Sequence, residues 1–204
     1  MARAALALDE ATGDLAYRRQ AERWVAVANR HYWDETTGGY FFAADDTEAL
    51  ILRPKTALDN PNPAGNGVMA SVLARLFHLT GEPAYRDRAE AVIAAFAGDV
   101  ERQMFGFAAL INAAELLQRA LQIVIRGRRG EAATEALLAA IRGVSLPNEV
   151  LMVLPPEATL PPDHPAAGKE QLGGRATAYV CEGPVCSLPL VDAADLAADL
   201  AARR

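Results

Sequence analysis

A ten-residue stretch occurs twice in this chain and restricts what it can fold into more than any other feature. Thr12-Gly-Asp-Leu-Ala-Tyr17-Arg-Arg-Gln-Ala21 aligns with Thr80-Gly-Glu-Pro-Ala-Tyr85-Arg-Asp-Arg-Ala89, at an offset of 68 residues. In each copy an apolar segment with helical spacing ends at Thr-Gly, a turn follows, and a second amphipathic segment starts near the tyrosine. Gly13 and Gly81 suit a helix C-terminus, where the chain often passes through a left-handed residue. Each copy therefore reads as a helical hairpin. A lone hairpin cannot bury its apolar faces, so repetition predicts a stacked or circular array of helix pairs.

Apolar spacing such as Val68, Val72, Leu73, Leu76 and Leu79 predicts helices near 2–11, 15–31, 65–79, 83–97 and 104–118, two and a half hairpins. Between the second and third, Gly38-Gly39-Tyr40-Phe41-Phe42 and Ala49-Leu50-Ile51-Leu52-Arg53 flank Asp45-Asp46 and predict a short β-hairpin, followed by an extended loop held by Pro54, Pro61 and Pro63. After Leu117 the period changes. Strands are expected at 121–125, 150–154, 176–180 and 187–191, with helices at 131–142 and from 192 onward, and a long loop from Pro155 to Gly174. The order βαβ, loop, ββα matches the core of a thioredoxin-like fold, with a right-handed first crossover and an antiparallel last strand pair. Domains are expected at 1–119 and 120–204.

The chain carries 20 basic and 26 acidic residues, a net charge of -6. A polyanion partner needs a basic face, so nucleic acid is excluded as a partner. No stretch approaches the roughly 18 apolar residues of a membrane helix. Two cysteines make no disulfide framework, and a cytoplasmic protein with reduced thiols is expected. Helical pattern begins at Ala2 without a cap or linker, as expected of a C-terminal piece of a longer protein.

At Gly38-Gly39-Tyr40-Phe41-Phe42, Asp45-Asp46, Arg53-Pro54-Lys55, Asp59, Pro63 and Gly65-Asn66, the spacing resembles the spermatogenesis-associated, thioredoxin-domain-containing family. The ending Tyr179-Val-Cys181-Glu-Gly-Pro-Val-Cys186-Ser-Leu-Pro189 is similar too. The resemblance implies a parent with an N-terminal thioredoxin domain, absent here, followed by a six-hairpin toroid similar to glycosidases and sugar 2-epimerases. It gives the expected fold class: mainly α, a partial (α/α)6 helical-hairpin toroid followed by a small α/β thioredoxin-like domain. Two positions depart from the family pattern, Ala64 and Gly67, where serines are expected.

The loop before the third helix holds the candidate chemistry. Arg53 and Lys55 are candidates to bind an anionic or hydroxyl-rich ligand, with Asp59 a candidate catalytic acid or base and Asn66 and Tyr40 further ligand-binding candidates. The competing reading is an ion-pair network that fixes the loop. Asn66, at a helix start, is also suited to capping, which is its favoured role. Asp45 and Asp46 read as turn residues. His31, His78 and His164 show no spacing that places two ligands on one helical face, so no metal is expected. Cys181 and Cys186 lack the Cys-x-x-Cys arrangement at a helix N-terminus that activates a thiol. Across a hairpin their sulfurs can approach, but reduced thiols and a non-redox role are expected. Where the thioredoxin active site would lie, the chain has Arg126-Gly127-Arg128-Arg129-Gly130, either an anion site or an exposed basic turn.

These readings lead to a non-redox part of a thioredoxin-domain-containing protein whose toroid half contributes to a carbohydrate-type ligand cavity, with no cofactor. The expected partners are a sugar-like small molecule and a second copy of the chain, in a homodimer that covers helix faces the toroid would otherwise bury. Two alternatives stay open: a glycosidase-like or sugar-epimerase-like enzyme in the full-length parent, and a non-catalytic helical scaffold or interaction module.

Overall fold

A computed structural model of the chain describes residues 1–48 and 51–203. Helices dominate, with one small mixed sheet. Two compact units form, one of residues 1–77 with 82–118 and the other of residues 78–81 with 119–204.

The first unit is helical. Its elements are α1 (Ala2–Thr12), α2 (Leu15–His31), α3 (Gly65–Thr80), α4 (Pro83–Ala95), α5 (Ala97–Arg102), a 3-10 turn (Met104–Phe107) and α6 (Ala108–Arg119). The repeat corresponds to α1–α2 and α3–α4. Gly13 and Gly81 adopt φ of 74° and 77°, left-handed values that let the chain leave each helix. Each following helix is capped by an acid two residues before the amide it accepts: Asp14 takes Ala16 N–H at 2.9 Å, and Glu82 takes Ala84 N–H at 3.4 Å. Pro83 then occupies the first turn of α4, where its missing N–H is no loss. Buried side chains are small or aliphatic, Ala21 and Val25 on α2, Ala70, Leu73 and Ala74 on α3, Ala89 and Val92 on α4. Gly67 carries this economy furthest, since a Cβ there would lie 2.8 Å from Ala109 Cβ and 3.0 Å from Leu110 N. Only glycine permits α3 and α6 to approach this closely.

Three expected elements of this unit differ. The helix expected over 83–97 ends at Ala95, with α5 starting at Ala97 after a break at Phe96, and the one expected from 104 begins as a 3-10 turn. The β-hairpin expected around Asp45-Asp46 is not formed by the described residues. Residues 49 and 50 of its second arm lie outside them, and Tyr40 instead makes a single antiparallel bridge with Trp33.

The second unit holds β1 (Leu121–Arg126), α7 (Ala132–Arg142), β2 (Glu149–Leu154), β3 (Thr177–Glu182), β4 (Val185–Cys186) and α8 (Ala193–Ala201). The sheet order is β2-β1-β3-β4; β1 runs parallel to β2 and antiparallel to β3, and β3 is antiparallel to β4. Alternate residues Leu121, Ile123 and Ile125 of β1 join Ala178 and Val180 of β3 in one cluster with Leu137, Leu138 and Ile141 of α7 and Leu196 and Leu200 of α8. The two-residue period of the strands and the helical spacing of α7 and α8 meet in that core. The expected strand over 187–191 is replaced by β4 and one bridge, Ala178 to Leu190. Pro189 has no N–H to donate, and Ser187 Oγ accepts from Val180 N–H at 3.1 Å in place of a backbone carbonyl. No described helix is long and apolar enough to cross a membrane.

Candidate functional site

The segment from Tyr32 to Pro63 turns back on itself because its polar side chains bond the segment's own backbone. Gly38 and Gly39 both take left-handed φ values, 74° and 80°, which set a turn that Asp34 caps from within. Asp34 accepts from Thr36 N–H at 2.9 Å, Thr37 Oγ1–H at 2.6 Å and Lys55 Nζ at 2.6 Å. The Lys55 ammonium, aided by Thr37 and the Thr36 amide, holds the Asp34 carboxyl well below the usual carboxylate range. Lys55 also donates to Gly38 O at 2.5 Å and to the Thr37 hydroxyl.

Arg53 is employed in the same way. Its guanidinium donates to Ala43 O at 2.7 Å and His31 O at 2.9 Å and lies 4.5 Å from the Phe41 ring centroid. Lys55 Nζ is 5.6 Å from the same ring, so both cations lie against Phe41. Trp33 and Tyr40 meet edge to face at 5.1 Å, and Arg88 stacks on Trp33 at 4.2 Å. Tyr40 donates its hydroxyl to Asn29 Oδ1 at 2.6 Å, and burial raises its phenol above the ordinary value.

Asn66 is 3% exposed and neither caps α3 nor faces a ligand with a free polar atom. Its Oδ1 accepts Tyr40 N–H at 2.7 Å, and its Nδ2 donates to Tyr40 O and Thr56 O, both at 2.9 Å. The capping role expected for it is replaced by a clamp. A side-chain amide has one acceptor and two donors, and here it satisfies three backbone groups of two loop strands that no sheet pairs. A cavity of about 270 Å³ lies beside this clamp, walled mainly by Tyr32, Tyr40, Phe41, Phe42 and Met69.

Asp59 lines a different cavity, of about 360 Å³, with Arg3 of α1, Asn60, Ser71 of α3 and Asn112 of α6. Its two carboxylate oxygens accept Ala64 N–H and Ala109 N–H, each at 2.8 Å, beside the N-termini of α3 and α6. A carboxylate suits these amides because both helix ends carry unpaired N–H groups and partial positive charge. The structure therefore places Tyr40 and Asn66 at one cavity, Arg53 and Lys55 around Phe41, and Asp59 at the second cavity, not on a single concave surface. Sequence reasoning missed Arg3, Ser71 and Asn112. Ser71 and Asn112 are polar residues within otherwise apolar helical runs, and Ser71 stands one turn after Gly67, the position that admits α6.

His31 and the adjacent aspartates also come together. His31 Nδ1 lies 2.8 Å from Asp45 Oδ1 and 3.5 Å from Asp46 Oδ2. Its imidazole holds the Asp45 carboxyl below the usual range. These residues are 14 and 15 positions apart, beyond the reach of any helical spacing rule.

In the second unit Cys181 and Cys186 are joined in a disulfide, contrary to the reduced thiols expected. They face each other directly in the β3–β4 register, with Cys181 buried and Cys186 exposed. The basic turn before α7 is tied down by the protein itself: Arg126 donates to Pro156 O at 2.8 Å, Arg128 pairs with Glu157 at 2.9 Å, and Gly130 N–H donates to Glu135 Oε1 at 3.0 Å.

No family model matches the chain. It is similar to spermatogenesis-associated protein 20 of Homo sapiens, at 33% identity over 199 residues, 95% of this chain and 25% of the human protein. The proteins of the same name from Rattus norvegicus and Mus musculus are 31% and 30% identical over the same share. The chain spans about a quarter of the length of these relatives.

Proposed function

We propose, for a chain that belongs to the family of spermatogenesis-associated protein 20, that its helical unit binds a hydroxyl-rich, carbohydrate-type small molecule. The observation that carries this reading is the second cavity. Arg3, Asp59, Asn60, Ser71 and Asn112 supply donors and acceptors of both kinds around a volume of about 360 Å³. Polyols need such alternation, since every hydroxyl both gives and accepts. In this reading the helical unit is part of an (α/α)6 toroid, and the second unit, with its βαβ and ββα order, is a thioredoxin-like domain without redox chemistry.

Glycoside hydrolysis by paired carboxylates needs a second acid across the ligand, and Asp59 is the one carboxylate among the described residues lining the cavity. Asp59 thus serves this chain as a positioning residue. A scaffold reading is favoured for the neighbouring loop, because Arg53, Lys55 and Asn66 bond the protein's own backbone and side chains.

Saturation-transfer NMR with neutral mono- and disaccharides tests the cavity. Binding in the millimolar range or tighter, weakened about fivefold or more in Ser71→Ala/Asn112→Ala, is expected. Absence of saturation by every sugar would remove the reading. Twofold self-association is tested separately by sedimentation at micromolar concentration, where a strictly monomeric species removes it.

A further inference from the structure

We propose that His31, Asp45 and Asp46 bind one divalent transition-metal ion of the zinc class. The ligand atoms, one imidazole nitrogen and two carboxylate oxygens, all lie within 4.8 Å of one another. Metal–ligand bonds of about 2.0–2.2 Å place two ligands of one ion about 3.3 Å apart in a tetrahedron and at most about 4.4 Å apart. The His31 Nδ1 separations of 2.8 and 3.5 Å bracket the tetrahedral value, and rotation of the exposed carboxylates closes the remaining gap.

Three further observations support a cation here. The frame is set without the ligand atoms: Asp45 N–H donates to His31 O at 2.9 Å, Phe41 N–H donates to Tyr32 O at 2.8 Å, and Arg53 ties His31 O to Ala43 O. His31 is the last residue of α2, where the helix dipole favours positive charge. Two carboxylates face a single imidazole, while the neighbouring cation, Arg53, directs its bonds to carbonyls and reaches Asp45 only through its field, forming no ion pair with either acid among the described residues.

The ligand set selects the class of ion. Calcium and magnesium prefer all-oxygen shells of six or more ligands, whereas a mixed nitrogen and oxygen set with few ligands suits zinc, cobalt or nickel. Asp45 and Asp46 side chains are 53% and 61% exposed, so water completes the coordination. On binding, the proton at His31 Nδ1 moves to solvent or to Nε2, and the freed lone pair takes the metal.

The test is isothermal titration of the intact chain with Zn²⁺, and Co²⁺ absorption spectroscopy, with both cysteines replaced by serine to silence thiol binding. One equivalent of Zn²⁺ with a Kd below about 100 µM is expected. His31→Ala and Asp46→Asn should each weaken it about tenfold or more, and His164→Ala should leave it unchanged. Asp46 is an exposed turn residue, so its variant reads the site even if His31→Ala perturbs α2, which circular dichroism checks. A Kd above about 100 µM in this background, or affinity retained in Asp46→Asn, overturns the proposal.

Discussion

The helical unit contains two sets of polar side chains, and they are used in opposite ways. In and beside the Tyr32–Pro63 segment, Asp34, Arg53, Lys55 and Asn66 direct their hydrogen bonds to nearby backbone or to side chains of the segment. Around the second cavity Asp59 is held by two backbone amides, but Ser71 and Asn112 stand on helices whose backbones already satisfy themselves, and they line the open space. Irregular chain has unpaired amides and carbonyls and consumes nearby polar side chains, whereas regular helix releases them. A motif dense in charged residues is therefore as much the signature of a loop that must hold its shape as of a binding site.

Replacing Asn66 by alanine breaks the comparison most severely. Tyr40 N–H, Tyr40 O and Thr56 O would lose their partner in a buried setting. At about 1–3 kcal/mol for an unsatisfied buried group, with partial relaxation, a loss of roughly 3 kcal/mol in urea unfolding is expected. A loss under about 0.5 kcal/mol would mean that the clamp is not what shapes the loop.

A smaller effect is expected from the Asp34–Lys55 pair, and it depends on pH. The Asp34 carboxyl is depressed in the folded state, chiefly by Lys55. Its contribution is fully present above the unfolded carboxylate value near 4 and is lost as pH falls through the lower folded value. Stability of the wild type should thus decline more steeply below pH 4 than that of Lys55→Met. At neutral pH the variant should be about 1–2 kcal/mol less stable, since the pair is only partly exposed. Equal acid slopes for the two proteins would show that Lys55 does not set the Asp34 charge.

What the sequence disclosed follows the range of the interactions. The hairpins of α1–α2 and α3–α4 were legible because Gly13 and Gly81 act within a few residues of their own helices. The βαβ and ββα order was legible from the change of apolar period at Leu121 and Val150. Asn66 was misread as a cap because its partner Tyr40 is 26 residues away, and the His31–Asp45 meeting spans 14. Asp59 was identified as important, but its partner Ala109 lies 50 residues on, so its role at two helix ends was invisible. The disulfide was open in principle, but nothing local specified that Cys181 and Cys186 fall directly opposite each other.

The cavity set sharpens the comparison from the other side. Ser71→Ala/Asn112→Ala removes side chains that line the space, with Asn112 exposed and Ser71 half-buried. Stability should change by less than about 0.5 kcal/mol, as is usual for surface substitutions. The contrast with Asn66→Ala is the informative quantity. A double variant as damaging as the clamp variant would place Ser71 and Asn112 among the structural bonds and close the cavity as a site.

In the second unit the cysteines face the same choice between structure and chemistry. Thiol activation in oxidoreductases depends on a helix N-terminus, whose dipole stabilises the thiolate. Here Cys181 and Cys186 lie on β3 and β4, and the turn before α7 carries Gly127, Arg128, Arg129 and Gly130. The disulfide closes a loop of sequence separation 5. Because loop-closure entropy grows only with the logarithm of loop length, even so short a link restrains the unfolded chain by about 2 kcal/mol. Insulin-reduction assays should show no catalytic turnover by the wild type, and Cys181→Ser/Cys186→Ser should lower stability by no more than about 2 kcal/mol. Turnover that disappears in the double-serine variant would show that a hairpin supplies activation of a kind ordinarily reserved for a helix end, and would move these cysteines from the structural set to the functional one.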